Sequence, residues 1–280
     1  MSLIRSEAVV LHSRKQGETS KILVLYTLRA GKITAMAKGS RTIKSRYLGV
    51  IEPFNHIAMV YYQKDTRDIQ YISSAEIINH FPGIHGNLKK MALAAIPCEI
   101  IERAEENEHE NNRLFRLLLE FLTALEQQEN GLLNFVQSFQ IKFLDIAGFK
   151  PQLERCNNCH RTDADKLQFF GLENGAYLCD RCVPGVETGI RLSAFGLQNL
   201  RWFLSTPLSQ AFRAKIDART GKEIDFFLLS NLRYHIDHLK FLKSLEYIEK
   251  LKASLSQSPE GVMSDKPQII EEKVNGEKLK

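Results

Sequence analysis

Four of the five cysteines in this chain occur as two Cys-x2-Cys pairs, with 19 residues between the pairs. The pairs are Cys156 with Cys159 and Cys179 with Cys182. Each such turn can direct two thiolates at one point, and two turns together supply the tetrahedral shell of a structural metal site. Apolar runs on either side of Glu173-Asn174-Gly175 indicate a β-hairpin between the pairs. The spacing predicts a zinc module at residues 151–186 that holds one structural Zn²⁺.

Other roles for these cysteines compete with zinc. Disulfides need an oxidising compartment, and the N-terminus shows no apolar segment of secretory length. A redox pair usually occurs once, in a βαβ context that is missing here. An iron–sulfur cluster is the main chemical alternative, because four thiolates also bind iron. We expect His160 to be solvated and Cys98, alone in an apolar run, to be a core residue.

The first 80 residues contain short apolar and β-branched runs that are separated by turn residues, with no helical period. The predicted strands are Glu7–His12, Lys21–Leu28, Lys32–Lys38, Asn55–Tyr62 and Asp68–Ile72. Five short strands of this kind favour a small closed barrel, with the five-stranded OB-fold first and an SH3-like barrel as the alternative.

From about residue 86 the apolar residues recur at helical spacing. Helices are predicted across 88–100, 114–125 and 132–146, with Gly148 ending the third. After the cysteine module, Ser193 is a candidate N-cap, Pro207 can begin the next segment, and Glu223 to Leu255 forms a long amphipathic run.

The sequence therefore predicts an α+β multidomain chain, in which an OB-fold barrel precedes a helical domain with an inserted four-cysteine module. The predicted units are a barrel at 1–80, helices at 81–150 and 187–255, the zinc module at 151–186 and a disordered tail at 256–280.

Charge is sorted along the chain. Residues 1–80 hold twelve Lys and Arg against six acidic residues, and no acid lies between Glu18 and Glu52. Residues 99–129 reverse this, with nine Glu against three Arg. The basic segment points to a polyanionic partner, and the acidic one is most simply a solvated helix surface.

The segment 38–47 follows the third predicted strand and carries a basic residue at every second or third position, mostly between Gly and hydroxyl residues. Small residues let phosphate approach closely while Lys and Arg neutralise it. The predicted DNA contacts are Lys38, Arg41, Lys44, Arg46, Arg14, Lys21 and Tyr47. Rings of Tyr47, Tyr26, Tyr61 and Tyr62 are candidates for base stacking, although strand packing is the simpler role for most of them.

Membrane and catalytic functions find little support in the sequence. The longest apolar stretch, Met91–Cys98, is far shorter than a spanning helix, so we expect a cytoplasmic protein with no membrane contact. Common nucleotide-binding, zinc-protease and serine-hydrolase motifs do not occur, so we expect no enzyme activity. Two alternatives stay open: a nucleic-acid-modifying enzyme with an accessory zinc ribbon, and a protein-binding scaffold that uses the acidic segment or the basic residues Arg233, Lys240 and Lys243.

The chain also resembles the RecO family of bacterial recombination mediators from about residue 2 to 250. The matching stretches are Glu7–Leu11, Gly17–Lys21, Gly31-Lys32, Ala37–Arg41, Lys44–Arg46, Glu52–Phe54, Gly148–Pro151, the two cysteine pairs with Gly175, and Leu242–Leu245. The Lys-Gly-x-Arg segment and the cysteine spacing are the specific parts of this match.

The resemblance implies a protein that is not an enzyme. It implies binding to single- and double-stranded DNA, annealing of complementary strands and, with RecR, loading of RecA onto strands covered by single-strand DNA-binding protein. By position, Lys38, Arg41, Lys44 and Arg46 would contact DNA, and the four paired cysteines would bind the metal. Some family members lack these cysteines, which implies a metal that supports the fold and is not required for activity.

Overall fold

The computed structural model describes residues 2–162, 167–183 and 189–246 of the chain. Five strands form a closed barrel at the N-terminus, and helices and a small three-stranded sheet follow. The predicted α+β class is therefore confirmed. The predicted tail at 256–280 lies outside the described residues, as does the end of the amphipathic run that was expected to reach Leu255.

The barrel strands are β1 Ser2–Gln16, β2 Ser20–Thr27, β3 Gly31–Ala37, β4 His56–Gln63 and β5 Gln70–Asn79. Their order around the barrel is β1-β2-β3-β5-β4, and β4 closes back onto β1. Only the β3–β5 pair is parallel. This is the OB-fold order, so the leading prediction is confirmed over the SH3-like alternative.

Strand β1 is much longer than the predicted Glu7–His12. Its first half pairs with β4, and its second half pairs with β2, so one strand closes the barrel on both sides. The polar residues at both ends hide this extension from the local sequence pattern. Ala8 and Val10 face the barrel core, whereas Val9 and Leu11 pack against the helical domain.

The helices are α1 Pro82–His85, α2 Leu88–Ala104, α3 Asn112–Gln127, α4 Leu132–Ile146, α5 Ala194–Ser205 and α6 Ala218–His235. Ser193 caps α5 through its hydroxyl, which accepts from the Gly196 N–H at 3.0 Å, as predicted. Gly148 follows α4 with a positive φ of 87°, which fits its predicted role. None of the described helices combines the length and apolar character that crossing a membrane requires.

The prediction of one helical run from Glu223 onward is wrong beyond His235. Ile236 adopts an extended backbone, and a 3₁₀ turn at Asp237–Leu239 follows. This break turns the chain back, so that Leu239 and Leu242 enter the helical core. The Glu99 carboxylate then accepts the N–H groups of Lys243 at 2.9 Å and Ser244 at 2.7 Å, which fixes the returning segment against α2.

The helices cover one side of the barrel, at β1 and β2. Tyr26 of β2 is fully buried, and its ring stacks on Phe115 of α3 with centroids 6.5 Å apart. Its hydroxyl donates to the Glu105 carboxylate at 3.5 Å, and Lys32 donates to the Glu102 carbonyl at 2.7 Å. Burial and the neighbouring Glu105 raise the pKa of Tyr26. The acidic segment is therefore partly docked on the barrel, which corrects the expectation of a simple solvated surface.

Replacing Gly31 by Ala will test how tightly this segment is docked. Gly31 has a φ of 61°, and an added Cβ would lie 1.9 Å from the His109 carbonyl oxygen. The left-handed backbone and the clash together predict a loss of about 2–4 kcal/mol in the free energy of unfolding. Chemical denaturation measures this loss.

The matched control is Gly17→Ala. Gly17 has a similar φ of 58°, but nothing lies within 4 Å of its added Cβ. This variant should lose only about 1 kcal/mol, which is the conformational cost alone. Equal losses in the two variants would contradict the close contact between Gly31 and the acidic segment.

Candidate functional site

The basic segment that follows β3 is attached to the β1–β2 turn. The Arg41 backbone N–H donates to the Thr19 carbonyl at 2.9 Å, and its guanidinium donates to the Gly17 carbonyl at 2.9 Å. Thr42 donates from its hydroxyl to the Gly39 carbonyl at 2.9 Å, which folds the segment into a tight turn. Two connections therefore meet at one end of the barrel.

Cations, most of them exposed, surround this end of the barrel, which we call the basic pole. Its members are Arg14, Lys15, Lys21, Lys38, Arg41, Lys44, Arg46, Lys64 and Arg67. Lys38, Arg41, Lys44 and Arg46 are all exposed, and none has an acidic partner within 4.0 Å among the described residues. Charges that lack an acidic partner are available to an anionic ligand.

Lys21 differs from the other predicted contacts. Its side chain is mostly buried, and its ammonium lies 2.8 Å from the Glu52 carboxylate. Lys15 lies directly opposite Lys21 in the β1–β2 register. Two cations in directly opposed positions repel each other, and Glu52 offsets part of that repulsion. A phosphate group near Lys15 would offset the rest.

Tyr47 is not available for base stacking, which corrects the prediction for this residue. Its side chain is only 3% exposed and belongs to the barrel core. The hydroxyl donates to the Ile72 carbonyl at 3.1 Å, and Arg46 donates to the hydroxyl at 3.1 Å. Tyr47 therefore positions the Arg46 guanidinium through this hydrogen bond. Tyr26 and Tyr61 are also buried, whereas Tyr62 is 39% exposed.

Sequence reasoning missed Tyr71 and Arg67. The Lys38 ammonium lies 4.5 Å from the centroid of the Tyr71 ring, and the Arg67 guanidinium lies 5.3 Å from it. The parallel pairing of β3 with β5 brings these residues together, with Met36 opposite Tyr71. No local sequence pattern shows a pairing between strands that are not consecutive. Only the strand order of an OB-fold, applied to the whole sequence, predicts that β3 lies beside β5.

The four paired cysteines meet beside a small sheet, whose strands are β6 Leu167–Gly171, β7 Ala176–Cys179 and β8 Ile190–Arg191. The Asn157 backbone N–H donates to the Tyr177 carbonyl at 2.8 Å, which holds the first cysteine turn against β7. Cys182 donates from its backbone N–H to the Cys179 carbonyl at 2.9 Å, which forms the second turn. Residues 163–166 and 184–188 of the module lie outside the described residues.

The arrangement of the sulfur atoms fits a tetrahedral metal. All four lie within 4.8 Å of one another, and the sulfurs of Cys159 and Cys179 are 3.5 Å apart. A Zn–S bond of about 2.3 Å implies sulfur separations of about 3.8 Å in a tetrahedron. Elsewhere in the described ranges, no group of three or more His, Cys, Asp or Glu side chains is arranged to hold a metal.

The electrostatics of the cluster also suit a cation. Burial opposes ionisation of Cys156, but the backbone N–H groups of Cys159, Cys179 and Asn158 outweigh it and lower the pKa of the thiol to about 6. Partial burial and the neighbouring sulfurs raise the pKa of Cys182 to about 12. Four thiolates repel one another, and a divalent cation at their centre removes that repulsion.

The module is fixed to the helical domain by aromatic packing. Phe170 of β6 is fully buried and meets Phe227 of α6 edge to face, with centroids 4.8 Å apart. Arg201 of α5 donates to the Leu153 carbonyl at 2.8 Å. His160 is exposed, and Cys98 is buried in the helical core, where desolvation raises the pKa of its thiol. Both positions agree with the sequence-based expectations.

Almost all of the described residues match known protein families. Residues 1–81 match the family described as Recombination protein O N terminal, and residues 85–246 match Recombination protein O C terminal. Neither match indicates a catalytic family.

Several relatives, three of which follow, carry the name DNA repair protein RecO. The protein from Alkaliphilus metalliredigens is 29% identical over 89% of this chain and 100% of its own length. The protein from a Thermoanaerobacter species is 28% identical over 90% and 99% of the two chains. The protein from Pelotomaculum thermopropionicum is 29% identical over 93% and 98%.

Proposed function

The chain belongs to the RecO family of DNA repair proteins, and we propose that it acts as a non-catalytic DNA-binding recombination mediator. It binds single- and double-stranded DNA through their phosphates. One observation carries this proposal: nine cations, seven of them exposed, converge on the basic pole, and only the mostly buried Lys21 has an acidic partner within the described residues. Phosphate contacts hold nucleic acid of any sequence, which a mediator requires.

The proposed phosphate contacts are Lys38, Arg41, Lys44, Arg46 and Arg14, with Lys21 contributing less because Glu52 balances its charge. In this proposal residues 1–80 form the DNA-binding unit, and 81–150 with 187–255 form the helical domain that supports it. The helices cover the barrel on the Tyr26 side, so the DNA lies at the basic pole.

We propose that Cys156, Cys159, Cys179 and Cys182 hold one Zn²⁺ in the module at 151–186. Four protein ligands fill a tetrahedral shell and leave no position for substrate or water, so the bound metal stabilises the fold and performs no reaction. The first cysteine turn is hydrogen-bonded to the β6–β7 hairpin through Asn157 and Tyr177, and the hairpin packs on α6. The metal therefore supports the helical domain.

The same surface supports annealing. Because phosphate contacts do not read base edges, the bases of a bound strand stay free to pair with a complement. We extend the proposal to the partners that family membership suggests: RecR, single-strand DNA-binding protein and, through them, RecA on the strand. This activity would place the protein on the chromosome in the bacterial cytoplasm.

An annealing assay tests the proposal. Complementary oligonucleotides coated with single-strand DNA-binding protein should pair faster in the presence of the chain, at equimolar or higher amounts. Incubation of labelled DNA with the chain, Mg²⁺ and ATP should leave both DNA and nucleotide intact. Cleaved DNA or hydrolysed ATP would favour the alternative of a nucleic-acid-modifying enzyme with an accessory zinc module.

A further inference from the structure

An apolar row crosses the outer surface of the barrel beside the basic pole. In the strand registers, Leu3 of β1 lies opposite Tyr62 of β4, Tyr62 lies opposite Tyr71 of β5, and Tyr71 lies opposite Met36 of β3. Directly opposed residues have their side chains on the same face of a sheet. These four residues, which we call the aromatic row, therefore form a continuous line across four strands.

The row faces outward. Its inward neighbours Tyr61 and Ile72 are buried at 1% and 6% exposure, whereas Leu3 and Tyr62 are 54% and 39% exposed. Tyr71 and Met36 are half-buried. Single apolar residues on a surface need no explanation, but a line of four that are adjacent in register is a candidate binding surface.

Cations lie on the row itself. The Lys38 ammonium and the Arg67 guanidinium both lie over the Tyr71 ring, at 4.5 Å and 5.3 Å from its centroid. Neither forms an ion pair with an acidic residue within the described ranges, although Asp65 and Asp68 lie in the same turn as Arg67. Because the two cations lie over the Tyr71 ring, a base can stack there only when they shift to the adjoining phosphates. An aromatic row with cations of this kind fits a ligand that alternates flat rings with negative charges.

The helical domain makes this side of the barrel the available one. OB-folds commonly bind oligonucleotides across strands 2 and 3. Here the Tyr26 ring of β2 is buried against Phe115, and Val24 packs against the helical core. A strand that enters from the basic pole can instead cross β3, β5 and β4, where the aromatic row lies.

We propose that Tyr62 and Tyr71 stack unpaired bases of single-stranded DNA, while Lys38 and Arg67 hold the adjoining phosphates. The inference rests on the proposed DNA binding and adds a selectivity to it. The bases of a duplex are already stacked inside the helix, so only a single strand can use the rings. The other cations of the basic pole serve both forms of DNA, and the aromatic row favours the single strand.

The test compares Tyr62→Leu and the double variant Tyr62→Leu with Tyr71→Leu in the full chain. Fluorescently labelled oligo-dT and a duplex of equal length are the probes. We expect single-strand affinity to fall by ~10-fold for each ring that is removed, and duplex affinity to stay within ~2-fold. The salt dependence of single-strand binding should keep its slope, because no phosphate contact is lost at Tyr62.

Two variants serve as controls. Replacing both Tyr62 and Tyr71 by Phe retains the aromatic rings and should retain the affinity for single-stranded DNA. Tyr234→Leu removes a 53% exposed tyrosine of α6 and should change neither affinity. Tyr62 makes none of the cation contacts that Tyr71 makes in the described structure, so its replacement separates stacking from any displacement of Lys38.

Two outcomes would overturn the inference while the proposed function stands: unchanged single-strand affinity in the double variant, or an equal loss on both probes. Failure of the unaltered protein to bind either probe would instead remove the proposed function together with the inference.

Discussion

Replacing Lys38, Arg41, Lys44 and Arg46 together by Gln is expected to weaken single-stranded DNA binding by on the order of 10²- to 10³-fold near 0.1 M salt. All four are exposed at the basic pole and have no acidic partner among the described residues. Each phosphate contact contributes ~0.7 to the log–log salt slope, so the slope should become shallower by ~2.8. Fluorescence anisotropy across a salt series measures both quantities.

The loss should be similar for all sequences and for duplex DNA, because these side chains meet phosphate and read no base edges. The fold should be little affected, because the four residues are exposed and the only side-chain hydrogen bonds that their replacement removes among the described residues are those from Arg41 to Gly17 and from Arg46 to Tyr47. Thermal unfolding of the variant checks this point. A variant that binds as well as the original chain would show that the basic pole is ordinary surface.

A matched control removes the same charge from the helical domain. Arg116, Lys215, Arg219 and Lys222 are exposed and belong to the helical domain, outside the barrel. Their joint replacement by Gln leaves the pole intact, so affinity should fall by no more than ~3-fold, through the weaker long-range attraction. An equal loss in both variants would mean that net charge, and not its placement, governs binding.

The second large effect is expected at the cysteine cluster. The purified chain should carry one zinc, and replacement of Cys156 and Cys179 by Ala should reduce the metal content to near zero. Both sulfurs are buried, one from each turn, so no neighbouring ligand can take their place. Structural zinc supplies ~10 kcal/mol or more in small zinc-binding peptides. We therefore expect the module at 151–186 to lose its order.

The remaining helices should stay folded, because most residues of the core that α2, α3 and α4 share come from the helices themselves, although Phe170 and Tyr177 of the module join the same core. Hydrogen exchange should show loss of protection in β6 and β7, with protection retained in α3 and α4. Elemental analysis supplies the metal content. Cys98→Ala is the control, since Cys98 is buried in α2 away from the cluster and its replacement should leave the zinc in place.

Two results would contradict this account of the metal. Visible absorption bands of an iron–sulfur centre in the purified chain would replace zinc with iron. Unchanged hydrogen exchange after complete removal of the metal would show that the module folds without it.

The parts of this structure that a sequence can predict are those that local chemistry determines. The cysteine spacing placed all four sulfurs in one cluster, because each Cys-x2-Cys turn needs only its own residues to aim two ligands. The apolar periods identified the barrel strands and α2 to α4 for a similar reason, since each period is a property of one segment.

The parts that the sequence hid depend on contacts between distant segments. Tyr47 follows four basic residues of the segment 38–47 and looks exposed, but its side chain enters the barrel core and donates a hydrogen bond to the Ile72 carbonyl. Lys21 looks like a free cation, but Glu52 lies 2.8 Å away. Tyr71 becomes part of a surface only when β5 pairs with β3. Helix α6 ends at His235 and not near Leu255, because the chain turns there and buries Leu239 in the helical core.

The measurement that tests the central claim most directly is the salt dependence of DNA binding by the full, unaltered chain. If the basic pole neutralises about five phosphates, the affinity for single strands should fall with salt along a log–log slope near ~−3.5. A flat response, or no binding even at low salt, would contradict an interface built on ionic attraction to the DNA backbone.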